Sequence, residues 1–225
     1  MPVPLVKIHY ATLAQPADLT LDSNVMGVNA EAEGFDAYLD EVLIGGREPV
    51  QIVVCDYDPL WPKRFDAERR RLAAALDERA IGIEHIGSTA VPGLAAKPII
   101  DILVTVAAVE PDDAFRMPLE AAGYVLRVRE PEHRMFRTPT RDVHIHVWAA
   151  DHEVVPRYLA FRDWLRYSEA DRALYEQWKR ELATRDWSDM NHYAQAKSDV
   201  IVPIIERAMW EASQGLGPWA SSSPS

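Results

Sequence analysis

The residues best suited to chemistry lie in one short segment, IEHIGSTAVPGLAAKPIIDI, at residues 83–102. An apolar stretch there ends at Gly87 and Ser88, and a loop carrying Lys97 leads into a second apolar stretch. Gly87 would let the backbone approach a ligand closely, and Ser88 adds a hydroxyl beside exposed N–H groups. With the ammonium group of Lys97, these groups predict a site for a phosphate or a carboxylate.

Asp101 lies inside the second apolar stretch, among Ile99, Ile100, Ile102 and Leu103. Burying an unpaired carboxylate costs free energy, so Asp101 should have a cation, a metal ion or a hydrogen-bond donor as its partner. Asp101 is therefore a candidate catalytic residue and a candidate metal ligand.

A pair of histidines follows in DVHIHVW, at residues 142–148. In a strand, His144 and His146 share one face, because side chains alternate between the two faces. Such a pair can bind a metal ion such as Zn²⁺ if a neighbouring strand supplies a third ligand, and His85 and Asp101 are the candidates. The alternatives are substrate binding, general acid–base catalysis and a merely polar, half-exposed strand face.

Three further cations are candidates for substrate binding. Lys197 and Arg162 lie on the apolar stripes of predicted helices, and Arg134 lies on the predicted strand before the histidine pair. If these side chains point into a cleft, they would bind an anionic ligand or pair with Asp101. The alternative is that their long stems are buried while their charges reach solvent.

These residues must be positioned by a mixture of strands and helices. Apolar periodicity and turn residues predict both kinds of element. Strands are predicted at 51–57, 83–87, 98–106, 124–128, 134–138 and 142–148, and helices from 31 to the Gly45-Gly46 stop, from Asp58 through Leu76, and at 112–122, 154–167, 170–184 and 190–212. This order predicts an α+β fold, a mixed sheet with flanking helices and a helical C-terminal half.

The chain divides into three predicted parts. Residues 1–48 form an acidic extension with one amphipathic helix, residues 49–212 form the main domain, and residues 213–225 form a disordered tail. The acidic extension could cover the cleft as a lid or could simply decorate the domain.

Composition limits the classes of function. The chain has 225 residues, with 24 Lys and Arg against 35 Asp and Glu, giving a net charge of −11. This charge argues against non-specific binding of nucleic acid. The single cysteine, Cys55, excludes an internal disulfide, and neither a signal peptide nor a membrane-spanning apolar run is evident, so we expect a cytoplasmic protein.

The long motif IEHIGSTAVPGLAAKPIID, with DYDPLWPKRF upstream and LAFRDWLR and YAQAKSDVI downstream, resembles the GrpB family, also called UPF0157. The resemblance runs from about Val50 to Trp210. It implies a fold similar to the nucleotidyltransferase superfamily, in which a Gly-Ser turn precedes a strand bearing two carboxylates that hold Mg²⁺. Gly87, Ser88 and Asp101 match this pattern, but Leu103 occupies the second carboxylate position and implies a weak Mg²⁺ site.

The resemblance leaves three functions open. The first is a nucleotidyltransferase-like enzyme that acts on a phosphate-bearing substrate such as ATP. The second is synthesis of arginine-containing cyclodipeptides from aminoacyl-tRNA, which needs no pair of metal carboxylates. The third is a degenerate nucleotidyltransferase fold that binds a nucleotide or a protein without catalysis. The expected partner is therefore a small molecule or nucleotide, or tRNA under the second function.

Overall fold

The computed structural model describes the backbone of residues 25–219 and the side chains of residues 34–218. In chain order its elements are α1 (Val25–Val42), α2 (Trp61–Leu76), β1 (Gly82–Ile86), β2 (Ile100–Val106), α3 (Asp113–Ala121), β3 (Val125–Glu130), β4 (His133–Arg137), β5 (Val143–Ala149), α4 (Val154–Tyr167), α5 (Glu169–Ala183), α6 (Met190–Ala196) and α7 (Ser198–Ser213). Each helix in this part of the chain is too short or too polar to cross a lipid bilayer. Residues 1–24, half of the predicted acidic extension, lie outside the described residues.

The five strands form one mixed sheet in the order β1-β2-β5-β4-β3. β2 and β5 run parallel, whereas the other neighbouring pairs run antiparallel. Helices pack on both faces of the sheet, and four of the helices follow the last strand. The predicted α+β fold with a mixed sheet, flanking helices and a helical C-terminal half is confirmed.

Alternation along β2 and β5 gives the sheet two different faces. One set of β2 and β5 side chains is wholly apolar and packs against α2 and α3: Ile100, Ile102, Val104, Val143, Ile145 and Val147. The opposite set carries Asp101, His144 and His146 and lies under the C-terminal helices. The second face, which we call the site face, therefore holds the polar residues that the sequence singles out.

The α1 helix covers the β3–β4 end of the site face. Phe35 and Leu39 of α1, each at most 2% exposed, pack with Val128 of β3 and Met135 of β4. The predicted amphipathic helix is thus confirmed as part of the packed domain, and Gly45 and Gly46 follow it with positive φ, as a helix stop requires.

The predicted strand at residues 51–57 is wrong. Only Cys55 pairs in β fashion, through two backbone hydrogen bonds of 2.9 Å with Ala96. Ile52, the buried apolar residue of this segment, packs with Leu182 and Tyr193 of the helices, whereas Val53 is 56% exposed. The β-branched composition of the segment therefore did not predict strand pairing.

The predicted helix at 190–212 is two helices that meet at Lys197. The Lys197 N–H bonds to the Ala194 carbonyl at 3.3 Å, a tighter turn than an α-helix makes, and α7 then begins at Ser198. After α7 the chain forms a short 3₁₀ turn, Gly217–Trp219, instead of the predicted disorder, and it packs near α4 and α7. Residues 220–225 of the tail lie outside the described residues.

Candidate functional site

Two adjacent strands bring Asp101, His144 and His146 together. In the parallel β2–β5 pair, Asp101 is opposite His144 and Leu103 is opposite His146, so all four side chains share the site face. The Nδ1 atom of His144 lies 3.5 Å from Asp101 Oδ1, and the Nε2 atom of His146 lies 3.9 Å from the same oxygen. The strand register, which alternation alone does not define, thus assembles a cluster of one carboxylate and two imidazoles.

The charge of this cluster follows from burial and from its hydrogen bonds. Burial alone would raise the pKa of Asp101, but hydrogen bonds from His144 and His146 outweigh burial and hold this pKa far below its usual value. Burial also lowers the pKa of His144, although the carboxylate of Asp101 partly opposes this shift. At neutral pH Asp101 is therefore an anion buried beside a neutral His144.

The Gly87-Ser88 turn packs directly against Asp101. Gly87 has a φ of +69°, and a Cβ atom at this position would lie 2.6 Å from Asp101 Oδ2. Ser88 starts a one-turn 3₁₀ helix, and its side chain lines the same cavity as Asp101. The turn and Asp101 form one wall of this cavity, although twelve residues, 89–100, separate Ser88 from Asp101 in the sequence.

Three of the five lysines in the chain line the same cavity: Lys97, Lys179 and Lys197. The ammonium groups of Lys97 and Lys197 each lie 5.0 Å from the centre of the Tyr193 ring, and Lys179 donates a hydrogen bond to the carbonyl of Ala95. Burial lowers the pKa of Lys97 to about 7 and that of Lys197 to about 8. The cavity of an acidic protein thus concentrates its lysines.

Lys179 was not a candidate in the sequence, although a signal for it exists. It lies at helical spacing from the buried Tyr175 and Leu182, so it occupies the apolar stripe of α5 as Lys197 occupies the stripe of the last predicted helix. The same criterion applied to α5 would have found it.

A second cavity adjoins the first. Together with the open solvent at its mouth, the space of the first is about 590 Å³ and that of the second about 550 Å³. His144 and Met190 line both cavities. The second is also lined by Arg127, Arg137 and Arg141, with Glu48 bonded to Arg137 at 2.9 and 3.0 Å. His144 therefore lies where two cavities with cationic walls meet.

A chain of hydrogen bonds leads from His146 away from the cavity. His146 Nδ1 lies 3.2 Å from His133 Nε2, and His133 Nδ1 lies 2.5 Å from Glu130 Oε2. All three side chains are at least 90% buried, and the His133 ring also stacks on Trp148. Burial, reinforced by His146 and Arg134, lowers the pKa of His133 well below its usual value, so His133 is neutral at pH 7.

Glu130 and His133 were not candidates in the sequence. They flank the β3–β4 turn, and nothing in the sequence shows that β4 pairs with β5 and places His133 beside the histidine pair. A histidine and a glutamate bracketing a predicted turn, before an H-x-H strand, were the only signal.

His85 and Arg162 do not reach the cavity. His85 pairs with Ile102 in the β1–β2 register, so it points to the opposite face of the sheet, where it stacks on Phe65 and bonds Thr89 at 3.0 Å. Arg162 pairs with Glu84 and Asp163 at 2.8 Å. The prediction that these two residues share a site with Asp101 is corrected. Strand register turns His85 to the opposite face of the sheet, and nearby carboxylates bind Arg162.

Arg134 also lies outside the cavity. It is 1% exposed and pairs with the buried Asp112, at 2.8 Å, and with the exposed Glu110. It also donates to the backbone carbonyls of Glu130 and His133. Because β4 alternates, Arg134 points away from the face that carries His133 and supports the β3–β4 turn instead of a ligand.

The donor set does not fit the Mg²⁺ site that the resemblance implies. Leu103 is 1% exposed and packs among apolar residues where a second carboxylate would be required. Mg²⁺ prefers oxygen ligands in near-ideal octahedral geometry, and Asp101 is the only carboxylate in the cluster. The arrangement instead combines one carboxylate with two imidazole nitrogens.

Comparisons with known proteins agree on one family. UPF0157 protein SCO7215 of Streptomyces coelicolor is 52% identical over 74% of this chain and 89% of that protein. A Mycolicibacterium paratuberculosis protein named dephospho-CoA kinase is 30% identical over 76% of this chain, but the match covers only 49% of that protein.

Solved structures point in the same direction. The crystal structure of conserved protein GrpB from Enterococcus faecalis has a TM-score of 0.65 and 34% identity, over 72% of this chain and 99% of that chain. The Cid1 poly(U) polymerase has a TM-score of 0.41 and 13% identity, which is too low to carry an argument. The family model described as GrpB protein matches residues 51–207, and the chain therefore belongs to the GrpB family.

Proposed function

We propose that this chain is a nucleotidyltransferase-like enzyme that binds the phosphate groups of a nucleotide in the lysine-lined cavity. The observation that carries the proposal is the convergence of Lys97, Lys179 and Lys197 with the Gly87-Ser88 turn in one cavity. Ammonium groups and the exposed N–H groups of such a turn are standard phosphate ligands. The match to 49% of a protein named dephospho-CoA kinase is the reason to include dephospho-CoA among the nucleotides tested.

The two adjoining cavities support transfer between two substrates. The nucleotide phosphates would occupy the first cavity, and an acceptor would occupy the arginine-lined second cavity. In the proposed step, an acceptor oxygen forms a bond to the α-phosphorus, the bond to pyrophosphate breaks, and the acceptor proton passes to water. The reacting atoms would lie near His144, which both cavities share.

The proposal predicts that replacing a cavity lysine weakens nucleotide binding. Titration of ATP into the protein by calorimetry should show one site, and Lys197→Met should weaken its affinity by about tenfold, because one charge-assisted bond to phosphate is lost. The same titration is repeated with dephospho-CoA, and with ATP in the presence of Mg²⁺. Because the lysines supply the positive charge, ATP should also bind without Mg²⁺.

Lys63→Met is the matched control, since Lys63 is exposed on α2 and far from the cavity lining. Equal affinities for the wild type, Lys197→Met and Lys63→Met would contradict the cavity as the binding site. Tight binding without transfer to any acceptor would contradict the enzyme and favour the degenerate binding module.

The lysine pKa values predict a pH dependence for the same binding. Lys97 and Lys197, with pKa values of about 7 and about 8, carry positive charge below these values and lose it above them. ATP affinity should therefore fall as the pH rises from 6.5 to 8.5. The Lys197→Met variant, measured over the same range, corrects for ionisation of ATP itself and should show a shallower fall. A slope identical to the wild type would contradict the role of Lys197.

A further inference from the structure

We propose that Asp101, His144 and His146 bind one divalent transition-metal ion of the Zn²⁺ type, and that Glu130 and His133 orient His146 toward it. The proposal concerns the metal alone and does not depend on the nucleotide. It differs from the Mg²⁺ pair of the nucleotidyltransferases in the ion, the ligands and the supporting residues.

The first support is the position of the donor atoms. One oxygen of Asp101 and one ring nitrogen from each histidine all lie within 4.8 Å of one another. A Zn²⁺ ion binds nitrogen and oxygen at about 2.0–2.2 Å, so it can lie between donors that are roughly 3.5–4 Å apart. The two separations from Asp101 Oδ1, 3.5 and 3.9 Å, are in this range.

The second support is the buried hydrogen-bond chain behind His146. The carboxylate of Glu130 accepts a hydrogen bond from His133 Nδ1. His133 Nε2 lies 3.2 Å from His146 Nδ1, so it can accept a hydrogen bond from that atom. This contact fixes the orientation of the His146 ring, with its Nε2 atom 3.9 Å from Asp101 Oδ1.

The consequence is that Asp101 Oδ1 and His146 Nε2 face each other at 3.9 Å in a buried place, a separation that one bound cation can bridge. The Glu130–His133–His146 chain also has the form of the carboxylate–histidine support that fixes ring orientation at metal sites. Two imidazoles and one carboxylate suit Zn²⁺ or Co²⁺ rather than Mg²⁺ or Ca²⁺.

The test is a titration of metal-free protein with Co²⁺, whose visible absorption reports nitrogen and oxygen ligands, followed by displacement with Zn²⁺. We expect one Co²⁺ per chain, displaced by one Zn²⁺ and not by millimolar Mg²⁺. Asp101→Asn and His146→Ala should each lose at least tenfold in affinity. His85→Gln is the matched control, because His85 lies on the opposite face of the sheet, and it should bind as the wild type does.

Two substitutions at His133 separate positioning from general structural damage. His133→Phe keeps a ring against Trp148 but cannot accept from His146, and it should weaken Co²⁺ binding by about 10- to 100-fold. His133→Gln offers a side-chain oxygen that can accept a hydrogen bond from His146 Nδ1, and it should recover most of the Co²⁺ affinity. The circular dichroism spectrum of each variant shows whether it is folded.

A folded variant also permits a second readout. Zn²⁺ should raise the midpoint of thermal unfolding of the wild type, His85→Gln and His133→Gln, but not that of Asp101→Asn. Absence of Co²⁺ binding to the wild type, saturation by Mg²⁺ in place of Zn²⁺, or equal affinity in His133→Phe and the wild type would each overturn the proposal. ATP binding without metal would survive such a result, so the two proposals fail separately.

Discussion

Replacing Gly87 with alanine should lower the free energy of unfolding by about 3 kcal/mol or more and remove ligand binding at the same time. Gly87 has φ +69° and ψ −172°, a region that is almost restricted to glycine. In addition, the new Cβ atom would lie 2.6 Å from Asp101 Oδ2 and 3.0 Å from Asp101 Cβ. Either the turn or the carboxylate must move, and both belong to the cavity.

Gly93→Ala is the matched control for Gly87→Ala. Gly93 lies in the same loop and also has a positive φ, +78°, but an added Cβ atom there meets nothing within 4 Å. The Gly93→Ala substitution should lower the free energy of unfolding by about 1–2 kcal/mol, the cost of backbone strain alone, and should leave Co²⁺ and ATP binding unchanged. Urea unfolding gives the two stabilities, and titration gives the two affinities. If the two variants behaved alike, the close approach of Gly87 to Asp101 would not matter.

Replacing Arg134 with methionine should cost about 3–5 kcal/mol of unfolding free energy, because it leaves a buried carboxylate with less compensation. Arg134 is 1% exposed, and its Nε atom lies 2.8 Å from Asp112 Oδ2, which is itself buried. The backbone carbonyls of Glu130 and His133 would lose a donor as well. Since this turn holds His133 beside His146, metal affinity should also fall.

Arg129→Met serves as the comparison. Arg129 contacts the same oxygen of Asp112 at 3.0 Å, but its side chain is 48% exposed. An exposed ion pair is worth about 0–1 kcal/mol, so this variant should be nearly as stable as the wild type. Urea unfolding of both variants measures the difference. A cost for Arg134→Met as small as that for Arg129→Met would show that the buried network contributes little.

Much of the fold could be predicted because the strands and helices carry clear periodic patterns. DVHIHVW alternates so strictly that the faces of His144 and His146 are correct, and the paired apolar residues Val143, Ile145 and Val147 are in the core as expected. The composition of residues 51–57 misled because β-branched residues also occur in extended segments that are not part of a sheet. Ile52 of this segment packs on helices, which local sequence does not reveal.

The candidate site could be predicted only in part, because its geometry depends on strand register. Alternation places Asp101 on a face of β2, but the parallel pairing with β5 brings His144 opposite it. The same register sends His85 to the other face with Ile102. Arginine often binds anionic ligands, which made Arg134 and Arg162 candidates. Each instead pairs with a carboxylate that is close in the fold but distant in sequence.

The position of β5 has a consequence for how the protein is made. β5 is the last strand in sequence but lies between β2 and β4, so it alone joins the β1–β2 pair to the β3–β4 pair. During synthesis, these two pairs cannot form one sheet until Ala149 has left the ribosome. The cavity needs still more of the chain, because Lys197 completes its wall. A nascent chain that ends before α6 therefore lacks the part of the cavity wall that Lys197 and Tyr193 supply.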